Sequence, residues 1–245
     1  MLNSNNGQIR YEINNVNPEE KKRFIKNLFD SIVPTYDLLN HILSMGTDML
    51  WRRNIFHHIT EVRNNLAIDL CCGTGDLSLL LHQKGAKVVS LDFSMNMLQK
   101  GIKKKALKGY PVVADASLIP FGNNSFAAAT IAFGIRNIPD IDIFIKEVFR
   151  VLMPGGQLAI LELVRPVNKI IEKLYSFYLC DLLPFIGGII SGRKSAYRYL
   201  SGTIATFVGP KDLQALLEMY GFTQISNYPQ TFGVATIIIC RKELS

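Results

Sequence analysis

The chain is poor in the residues that build disulfide frameworks and metal sites. Its 245 residues include four cysteines and four histidines. Cys71 and Cys72 are adjacent, while Cys180 and Cys240 stand far away, so the cysteines form no set of spaced pairs. Neither a C-x-x-C nor an H-E-x-x-H pattern occurs, and the histidines lack the spacing of metal ligands. We therefore expect reduced thiols, as in the cytoplasm, and no metal site.

The chain also lacks a hydrophobic run that could cross a membrane. Residues 165–207 carry an apolar helical stripe, but Asp181, Pro184 and two adjacent glycines interrupt it, and no run of about 18 uncharged apolar residues exists. Residues 1–6 lack the basic-then-apolar order of a secretory signal. We expect a cytoplasmic protein in which residues 165–207 form an inserted cap over the active site or a surface that touches lipid. A pair of packed helices is the simpler alternative.

Positive charge predominates, with a net charge of +7 and clusters of basic residues at 21–26, 103–105 and 193–194. Nucleic acid or an anionic membrane surface would suit these clusters, and so would solvated helix faces. The chain lacks the interleaved basic and aromatic residues that favour binding of single-stranded nucleic acid. We expect no nucleic-acid partner.

The N-terminal part of the chain is predicted to be helical. Residues 1–17 are polar and rich in asparagine, which predicts a mobile tail. Residues 18–32 carry apolar side chains at helical spacing, with Pro18 and two glutamates in the first turn. A second helical region is expected near 37–60. Residues 18–62 are therefore expected to form a helical cap on a single domain that spans 18–245.

Strand and helix patterns alternate through the rest of the chain. Strands are expected near 66–71, 87–91, 110–114, 127–133 and 157–163, with helices between most of them. This order is typical of an α/β fold with a doubly wound, parallel sheet. A helix at 140–152 should end at the turn 153–156, and another is expected near 210–219. Strands near 223–228 and 234–240 should form a hairpin that puts an antiparallel strand at the sheet edge.

Residues 67–76 are predicted to form a strand that stops at a glycine turn and passes straight into a helix. Gly73 and Gly75 flank one small residue, so the backbone can approach a ligand closely. The helix that starts near Asp76 offers free N–H groups and a positive dipole end. Such a turn after the first strand is typical of a nucleotide-type cofactor site.

Two further predicted strands also end in an acid. Asp92 follows the second strand and can accept both hydroxyls of a ribose, whereas Asp115 follows the third and can accept from an adenine amino group. Because the carboxyl ends of parallel strands meet at one sheet edge, Asp69, Asp92 and Asp115 are expected near one ligand. A helix cap or a turn is the alternative role for Asp115.

Two cofactors fit this pattern. A dinucleotide fingerprint has a third glycine where this chain has Ser78. The glycine turn of S-adenosylmethionine methyltransferases is matched by Asp69, Gly73 and Gly75, with Cys71 in place of its first glycine. The acid after the third strand favours S-adenosylmethionine, since a dinucleotide fold does not require it. A dinucleotide and a tight turn without a ligand stay open as alternatives.

Longer motifs carry a family resemblance over residues 29–241. The most specific are F-G-I-R-N at 133–137 and Y-R-Y-L at 197–200; the others lie at 29–40, 43–46, 50–53, 69–77, 119–121, 150–156 and 161–163. Together they resemble the quinone-biosynthesis C-methyltransferases, which convert demethylmenaquinol to menaquinol or methylate a methoxy polyprenyl benzoquinol on the ubiquinone pathway.

The resemblance implies a class I, Rossmann-like methyltransferase fold and an S-adenosylmethionine site at Thr74, Asp92, Asp115 and Ala116. It also implies a polyprenyl hydroquinone substrate and a homodimer. Because a polyprenyl tail needs an apolar path, the apolar 165–190 segment favours peripheral contact with the inner face of the cytoplasmic membrane. Some family members have a serine at the position of Ala132, so a hydroxyl contact to the cofactor is absent or replaced here.

The two cysteines before Gly73 make the chain more similar to the menaquinone-type members. Demethylmenaquinol is therefore the first expectation for the acceptor, and the benzoquinol is the second. Two other classes remain: a basic nucleic-acid methyltransferase and a non-catalytic module that binds the cofactor. The fourth-strand exit at 133–137 lacks the Pro-Pro-aromatic motif of many enzymes that methylate amino nitrogens, which disfavours the first of these.

Methylation of a ring carbon requires an electron-rich hydroquinone aligned with the sulfonium methyl, in a site that excludes water. It also requires a group that polarises the phenol or accepts its proton. Arg136 and Asn137 follow the fourth strand, and Arg136 can stabilise a phenolate electrostatically. Asp37 is the first candidate for a direct base, and Tyr197 is a further catalytic candidate. A salt bridge for Arg136 and a helix cap for Asp37 are the structural alternatives.

Overall fold

Runs of apolar residues form the strands of a single sheet. The structure is a computed structural model that describes residues 17–44, 46–60, 62–182 and 194–244. Seven strands lie in these residues: β1 (Leu66–Leu70), β2 (Lys87–Asp92), β3 (Tyr110–Val113), β4 (Phe126–Ala132), β5 (Leu152–Leu163), β6 (Phe222–Gln230) and β7 (Ala235–Lys242). Their order across the sheet is β3-β2-β1-β4-β5-β7-β6.

The central strands are parallel and buried on both faces. β1 pairs with β2 on one side and with β4 on the other. Its Ile68 and Leu70 belong to one apolar layer, whereas Ala67 belongs to the layer on the opposite face. Because the strand order reverses between β1 and β4, a crevice opens at their carboxyl ends, where ligands bind in sheets of this kind.

Helices cover both faces of the sheet: α1 (Pro18–Ile32), α2 (Tyr36–Leu43), α3 (Thr47–Asn54), α4 (Asp76–Gln83), α5 (Met95–Lys103), α6 (Ile141–Val151), α7 (Lys169–Phe177), α8 (Lys194–Thr206) and α9 (Pro210–Met219). Polar side chains cap several of them. Asn17, Ser94 and Asp140 each accept a hydrogen bond from an amide in the first turn of the helix that follows. Within the described residues, no helix is both long and apolar enough to cross a bilayer.

The predicted helical region at 37–60 consists of two helices, α2 and α3. Gly46, with φ +74°, lies between α2 and α3, and a short 3₁₀ turn follows α3. A left-handed residue cannot continue an α-helix. Of the predicted tail at 1–17, Asn17 is described and caps α1, while 1–16 lie outside the described residues.

The predicted hairpin at the end of the chain is present, but the antiparallel strand does not lie at the edge. β7 pairs antiparallel with both β5 and β6, so β6 is the edge strand and runs parallel to β1–β5. The residues of β7 from Ala235 to Cys240 are all buried, whereas several residues of β6 are exposed. A strand that is buried on both faces is typical of the interior of a sheet, and β7 accordingly lies between β5 and β6.

The N-terminal helices and the 165–207 segment contact each other. Leu179 and Ile204 are buried in a small cluster with Leu28 of α1. The ring of Phe24 lies 5.7 Å from the ring of Tyr199 on α8. Residues 183–193 fall outside the described part of the chain. The two segments thus meet at the end of the sheet that carries the strand-end acids.

Gly75 should tolerate a side chain far less well than Gly46. Both have left-handed backbones, but a Cβ at position 75 would lie 2.3 Å from Leu107 Cδ2, while none of the described residues has an atom within 4 Å of one at position 46. In urea unfolding, Gly46→Ala should cost about 1 kcal/mol from backbone strain. Gly75→Ala should cost about 1–3 kcal/mol more because Leu107 must move. Equal losses would show that the contact with Leu107 is unimportant.

Candidate active site

A cavity opens at the carboxyl ends of β1 to β4, beneath α1. Lys22, Ile25, Phe29 and Tyr36 come to it from the N-terminal helices, Met97 comes from α5, and the strand ends with the loops after them supply the rest of the wall. The residues of the strand ends and loops are Cys71, Gly73, Leu91, Asp92, Phe93, Ala114, Asp115, Ala116, Ala132, Phe133, Gly134, Asn137, Ile138 and Pro139. The cavity therefore lies at the crevice that the strand order creates.

Asp92 is the buried acid at the centre of this wall. Its side chain is 5% exposed. Oδ2 accepts from the Gly73 amide at 2.8 Å, and Oδ1 accepts from the Ser94 amide at 2.9 Å. Burial raises the pKa of Asp92 to about 6, although these amides oppose the rise. A carboxylate offers about four acceptor sites, so Asp92 can still accept from vicinal hydroxyls in the cavity.

Asp115 and Ala116 lie where the sequence predicted them, beside Asp92. Lys22 forms an ion pair with Asp115 Oδ2 at 2.8 Å, and the Ser117 amide donates to Oδ1 at 2.8 Å. Burial acts to raise the pKa of Asp115, but Lys22 and Ser117 outweigh it and hold the pKa below its ordinary value. An anionic acceptor is therefore present at the third strand end.

The glycine turn leaves room for a ligand. Among the described residues, a Cβ at position 73 would contact only the Tyr36 side chain, 3.7 Å away, so none of their backbone atoms fills the space above the turn. With Asp92 and Asp115 on the same wall, an open face above Gly73 suits an adenosyl group. Within the described parts of the chain, no group of three or more histidine, cysteine or acidic side chains could hold a metal ion.

Asp69 and Thr74 line a second, smaller cavity rather than the main one. Asp69 is 1% exposed and accepts from Ser78 Oγ at 2.6 Å and Thr130 Oγ1 at 2.8 Å. Burial raises its pKa to about 6, against the effect of these two hydroxyls. Thr74 Oγ1 donates to Asp37 Oδ1 at 2.5 Å. These predicted cofactor residues therefore line a different cavity from Asp92.

Asp37 is engaged in ion pairs and does not line the cavity. Its Oδ2 lies 3.2 Å from Lys100 Nζ and 3.3 Å from Lys104 Nζ. Burial acts to raise the pKa of Asp37, but Thr74 and the two lysines outweigh it and lower the pKa. A carboxylate with a lowered pKa and occupied acceptors is a weak base. The role of Asp37 as the base stays a prediction that this geometry does not favour.

Arg136 and Asn137 follow β4 and lie close to the caps. Arg136 is buried in an ion pair with Glu162, yet its Nε has no partner in the described residues. Asn137 lines the cavity, and the Tyr199 hydroxyl donates to its Oδ1 at 3.3 Å. Tyr197 belongs to α8, but its side chain falls outside those that the structure describes.

Sequence reasoning assigned no role to three residues of this region: Lys22, Glu162 and Tyr199. Glu162 gave a signal, since it is an acid within an apolar strand. Lys22 lies in a basic cluster and Tyr199 in the Y-R-Y-L motif, but neither pattern revealed the partner, because each residue reaches it only through the packing of a cap against a distant loop.

Comparisons with known proteins find relatives along nearly the whole chain. The model of the ubiE/COQ5 methyltransferase family matches residues 15–242. A demethylmenaquinone methyltransferase of Thermotoga maritima is 43% identical over 89% of this chain and 96% of its own. One from Thermus thermophilus is 41% identical over 86% and 97%. A ubiquinone/menaquinone biosynthesis C-methyltransferase UbiE of Geobacter sulfurreducens is 37% identical over 92% and 91%.

Solved structures share the fold. A SAM-dependent methyltransferase of Thermotoga maritima superposes with a TM-score of 0.66 at 16% identity, over 89% of this chain and 99% of that one. Phosphoethanolamine N-methyltransferase 2 of Haemonchus contortus, in complex with S-adenosyl-L-methionine, gives a TM-score of 0.57 at 16% identity, over 79% and 53%. The predicted class I methyltransferase fold is confirmed.

Ionisation of Asp92 should control the affinity for an adenosyl ligand. Ribose hydroxyls donate best to the charged carboxylate, and the pKa of Asp92 is about 6. Calorimetry should therefore show S-adenosylhomocysteine binding more tightly as the pH rises from 5 to 7. Asp92→Asn should weaken binding by about tenfold to a hundredfold and remove this dependence.

Asp115→Asn is the matched control. Because the pKa of Asp115 is lowered, this acid stays ionised across the same range. The variant should weaken binding yet keep the rise with pH. A rise that persists in Asp92→Asn would assign the titration to another group, such as Asp69.

Proposed function

Because the chain belongs to the ubiE/COQ5 methyltransferase family, we propose that it methylates a ring carbon of demethylmenaquinol, giving menaquinol. It is an S-adenosylmethionine-dependent methyltransferase of quinone biosynthesis. The choice of acceptor rests on the two relatives named demethylmenaquinone methyltransferase, which are 43% and 41% identical over nearly their full length. A polyprenyl benzoquinol of the ubiquinone pathway is the second candidate, since relatives named UbiE are 37% and 38% identical.

The cavity supports this chemistry because it can position the acceptor ring and exclude water. Asp92 and Asp115 would hold the adenosyl part of the cofactor, and its sulfonium would supply the methyl group to a ring carbon that then gives up its proton. Phe29, Phe133 and Ile138 give the wall an apolar character that suits a flat ring and excludes water. The bound cofactor supplies the electrophilic methyl group, and the chain orients the acceptor against it.

Arg136 and Asn137 are the proposed catalytic residues. The ion pair with Glu162 fixes the guanidinium beside the exit of β4, and the Nε without a partner offers a donor for a developing phenolate. Asn137 reaches the cavity wall directly. Tyr197 remains a catalytic candidate from α8, and Asp37 remains the weaker candidate for the base.

Contact with a membrane surface is proposed through α7. Ile170, Leu174 and Phe177 lie one or two turns apart on this helix and are 73%, 66% and 63% exposed. Lys169 and Lys173 flank them. An apolar stripe beside basic residues suits a lipid surface with anionic headgroups, from which a polyprenyl substrate would come. A cytoplasmic location at the inner membrane face and a homodimer stay predictions drawn from the sequence.

The acceptor can be identified directly. Purified protein is incubated with labelled S-adenosylmethionine and either reduced demethylmenaquinone or the reduced methoxy polyprenyl benzoquinone, and products are read by mass. We expect transfer to demethylmenaquinol. The oxidised quinones should give no product, because their rings are not nucleophilic. Transfer to the benzoquinol alone would contradict the proposed acceptor, and transfer to neither, with cofactor binding intact, would contradict the reaction.

In the same assay, Arg136→Lys and Asn137→Ala should lower turnover at least tenfold while the affinity for S-adenosylhomocysteine stays within about twofold. Lysine keeps a charge beside Glu162, so the variant does not leave a buried carboxylate without a partner. Arg165→Lys, at an exposed position, is the control and should be silent. Normal rates in both variants would remove the pair from the mechanism.

Removing the apolar stripe of α7 should affect long-tailed substrates selectively. The triple change Ile170→Ser, Leu174→Ser and Phe177→Ser should leave the free energy of unfolding nearly unchanged, because all three side chains are exposed. It should reduce sedimentation with vesicles of mixed anionic and neutral phospholipid, and slow methylation of a long-tailed acceptor. Met219→Ser, at a position 77% exposed on α9, is the control. Equal losses with short-tailed and long-tailed acceptors would favour a packing role.

A further inference from the structure

The second cavity is small, polar and directly adjacent to the first. Tyr36, Cys71 and Ala132 line both, so these residues form the boundary between them. The further residues of the small cavity include one cation, Arg52, and two acids of the glycine turn region, Asp69 and Asp76. The site thus combines an apolar chamber with a charged one.

Arg52 is fixed in place by a buried network on α2 and α3. Its side chain is 7% exposed, and Nη1 donates to Asp48 Oδ2 at 2.6 Å. His41 Nδ1 lies 2.9 Å from the same carboxylate oxygen, and Ser44 Oγ donates to the other at 2.7 Å. The guanidinium carbon lies 4.9 Å from the centre of the Phe133 ring. These contacts hold the guanidinium beside the boundary between the cavities.

The guanidinium of Arg52 has N–H donors that make no hydrogen bond to the described residues. Of its five N–H groups, one of the two on Nη1 donates to Asp48, and within the described residues Nε and Nη2 make no hydrogen bond. An arginine fork of this kind matches the two oxygens of a carboxylate. Its partner Asp48 is already satisfied by Ser44 and His41, so the network can hold Arg52 while Arg52 binds a second anion.

Other nearby cations are less suited to that task. Lys104 bonds Thr74, Asp76 and Asp37, at 2.9, 2.7 and 3.3 Å. Lys100 donates to the carbonyl of Val33 at 2.6 Å and pairs with Asp37. Neither lines the small cavity in the described structure. Arg52 is therefore the cation that a ligand entering this cavity would meet.

The charges of the small cavity complement an α-amino acid. Arg52 offers donors for a carboxylate, and Asp69 offers negative charge for an ammonium group. The two are near enough that Arg52 lowers the pKa of Asp69, against the larger effect of burial. S-adenosylmethionine carries both an adenosine and an α-amino acid, and the two adjoining cavities match these two halves in polarity.

Resting on the proposed function, we propose that Arg52 binds the carboxylate of the amino-acid end of the cofactor in the small cavity. The adenosine would then occupy the larger cavity, against Asp92 and Asp115. Asp48 acts as a positioning residue, since it holds the guanidinium but faces the network rather than the ligand.

A ligand that lacks only the carboxylate tests this role. Calorimetry compares S-adenosylhomocysteine with its decarboxylated analogue, S-adenosyl-3-thiopropylamine, on the full chain. The wild type should prefer the intact ligand by about tenfold to a hundredfold, the loss expected for one charged hydrogen-bonded contact. Arg52→Met should reduce this preference to about twofold or less, while binding the decarboxylated ligand as the wild type does.

Two further variants make the result decisive. Arg52→Lys keeps a charge beside Asp48 and should retain part of the preference, and Arg53→Met, at the exposed neighbouring position, should retain all of it. Equal losses with both ligands in the methionine and lysine variants would overturn the proposal and assign Arg52 to the fold. A preference that survives Arg52→Met would overturn it as well. Failure of the wild type to bind either ligand would instead contradict the cofactor assignment itself.

Discussion

The hydrogen bond from the Gly73 amide to Asp92 is the contact on which the site depends. It joins the turn after β1 to the end of β2, across 2.8 Å. The turn can present that amide because Gly75, in a left-handed conformation packed on Leu107, lets the chain enter α4 at once. A carboxylate buried to 5% exposure requires such donors, since an unpaired buried charge is costly. The same pairing leaves acceptor capacity on the cavity side, so stability and ligand binding share one group.

The caps complete the site through an ion pair and hydrogen bonds with the loops at the strand ends. Lys22 meets Asp115, Asp30 accepts from Ser94 Oγ at 2.5 Å, and Tyr199 reaches Asn137. Each contact joins a helix outside the central sheet to a loop at the carboxyl end of a strand. The sheet alone would leave this edge open to water. Transfer of a methyl group from a sulfonium to carbon needs the water-poor chamber that the caps provide.

Sequence patterns predicted the strand ends well because parallel strands bring their carboxyl ends together. Asp92, Asp115 and Ala116 therefore line one cavity, as expected. The patterns could not reveal which acids are neutralised by distant cations. Asp37 is 63 and 67 positions before Lys100 and Lys104, and only the packing of α2 against α5 shows that it is an ion-pair partner. The position of β7 inside the sheet could not be predicted for a similar reason. The pattern of apolar and polar residues along the chain does not show whether a strand is buried on both faces.

The two buried acids with pKa values of about 6 reduce the stability of the fold at neutral pH. Asp69 and Asp92 bind a proton more tightly in the folded chain than in the unfolded one. Their ionisation therefore lowers the free energy of unfolding as the pH rises from about 4 to 6, and the loss is complete above that range. Hydroxyl and amide donors limit this loss, and a ligand that adds donors to Asp92 offsets more of it. Binding of the cofactor and stability of the fold should accordingly be coupled at neutral pH. The desolvated carboxylate of Asp92 lowers the stability of the fold, and the same carboxylate supports binding of the cofactor.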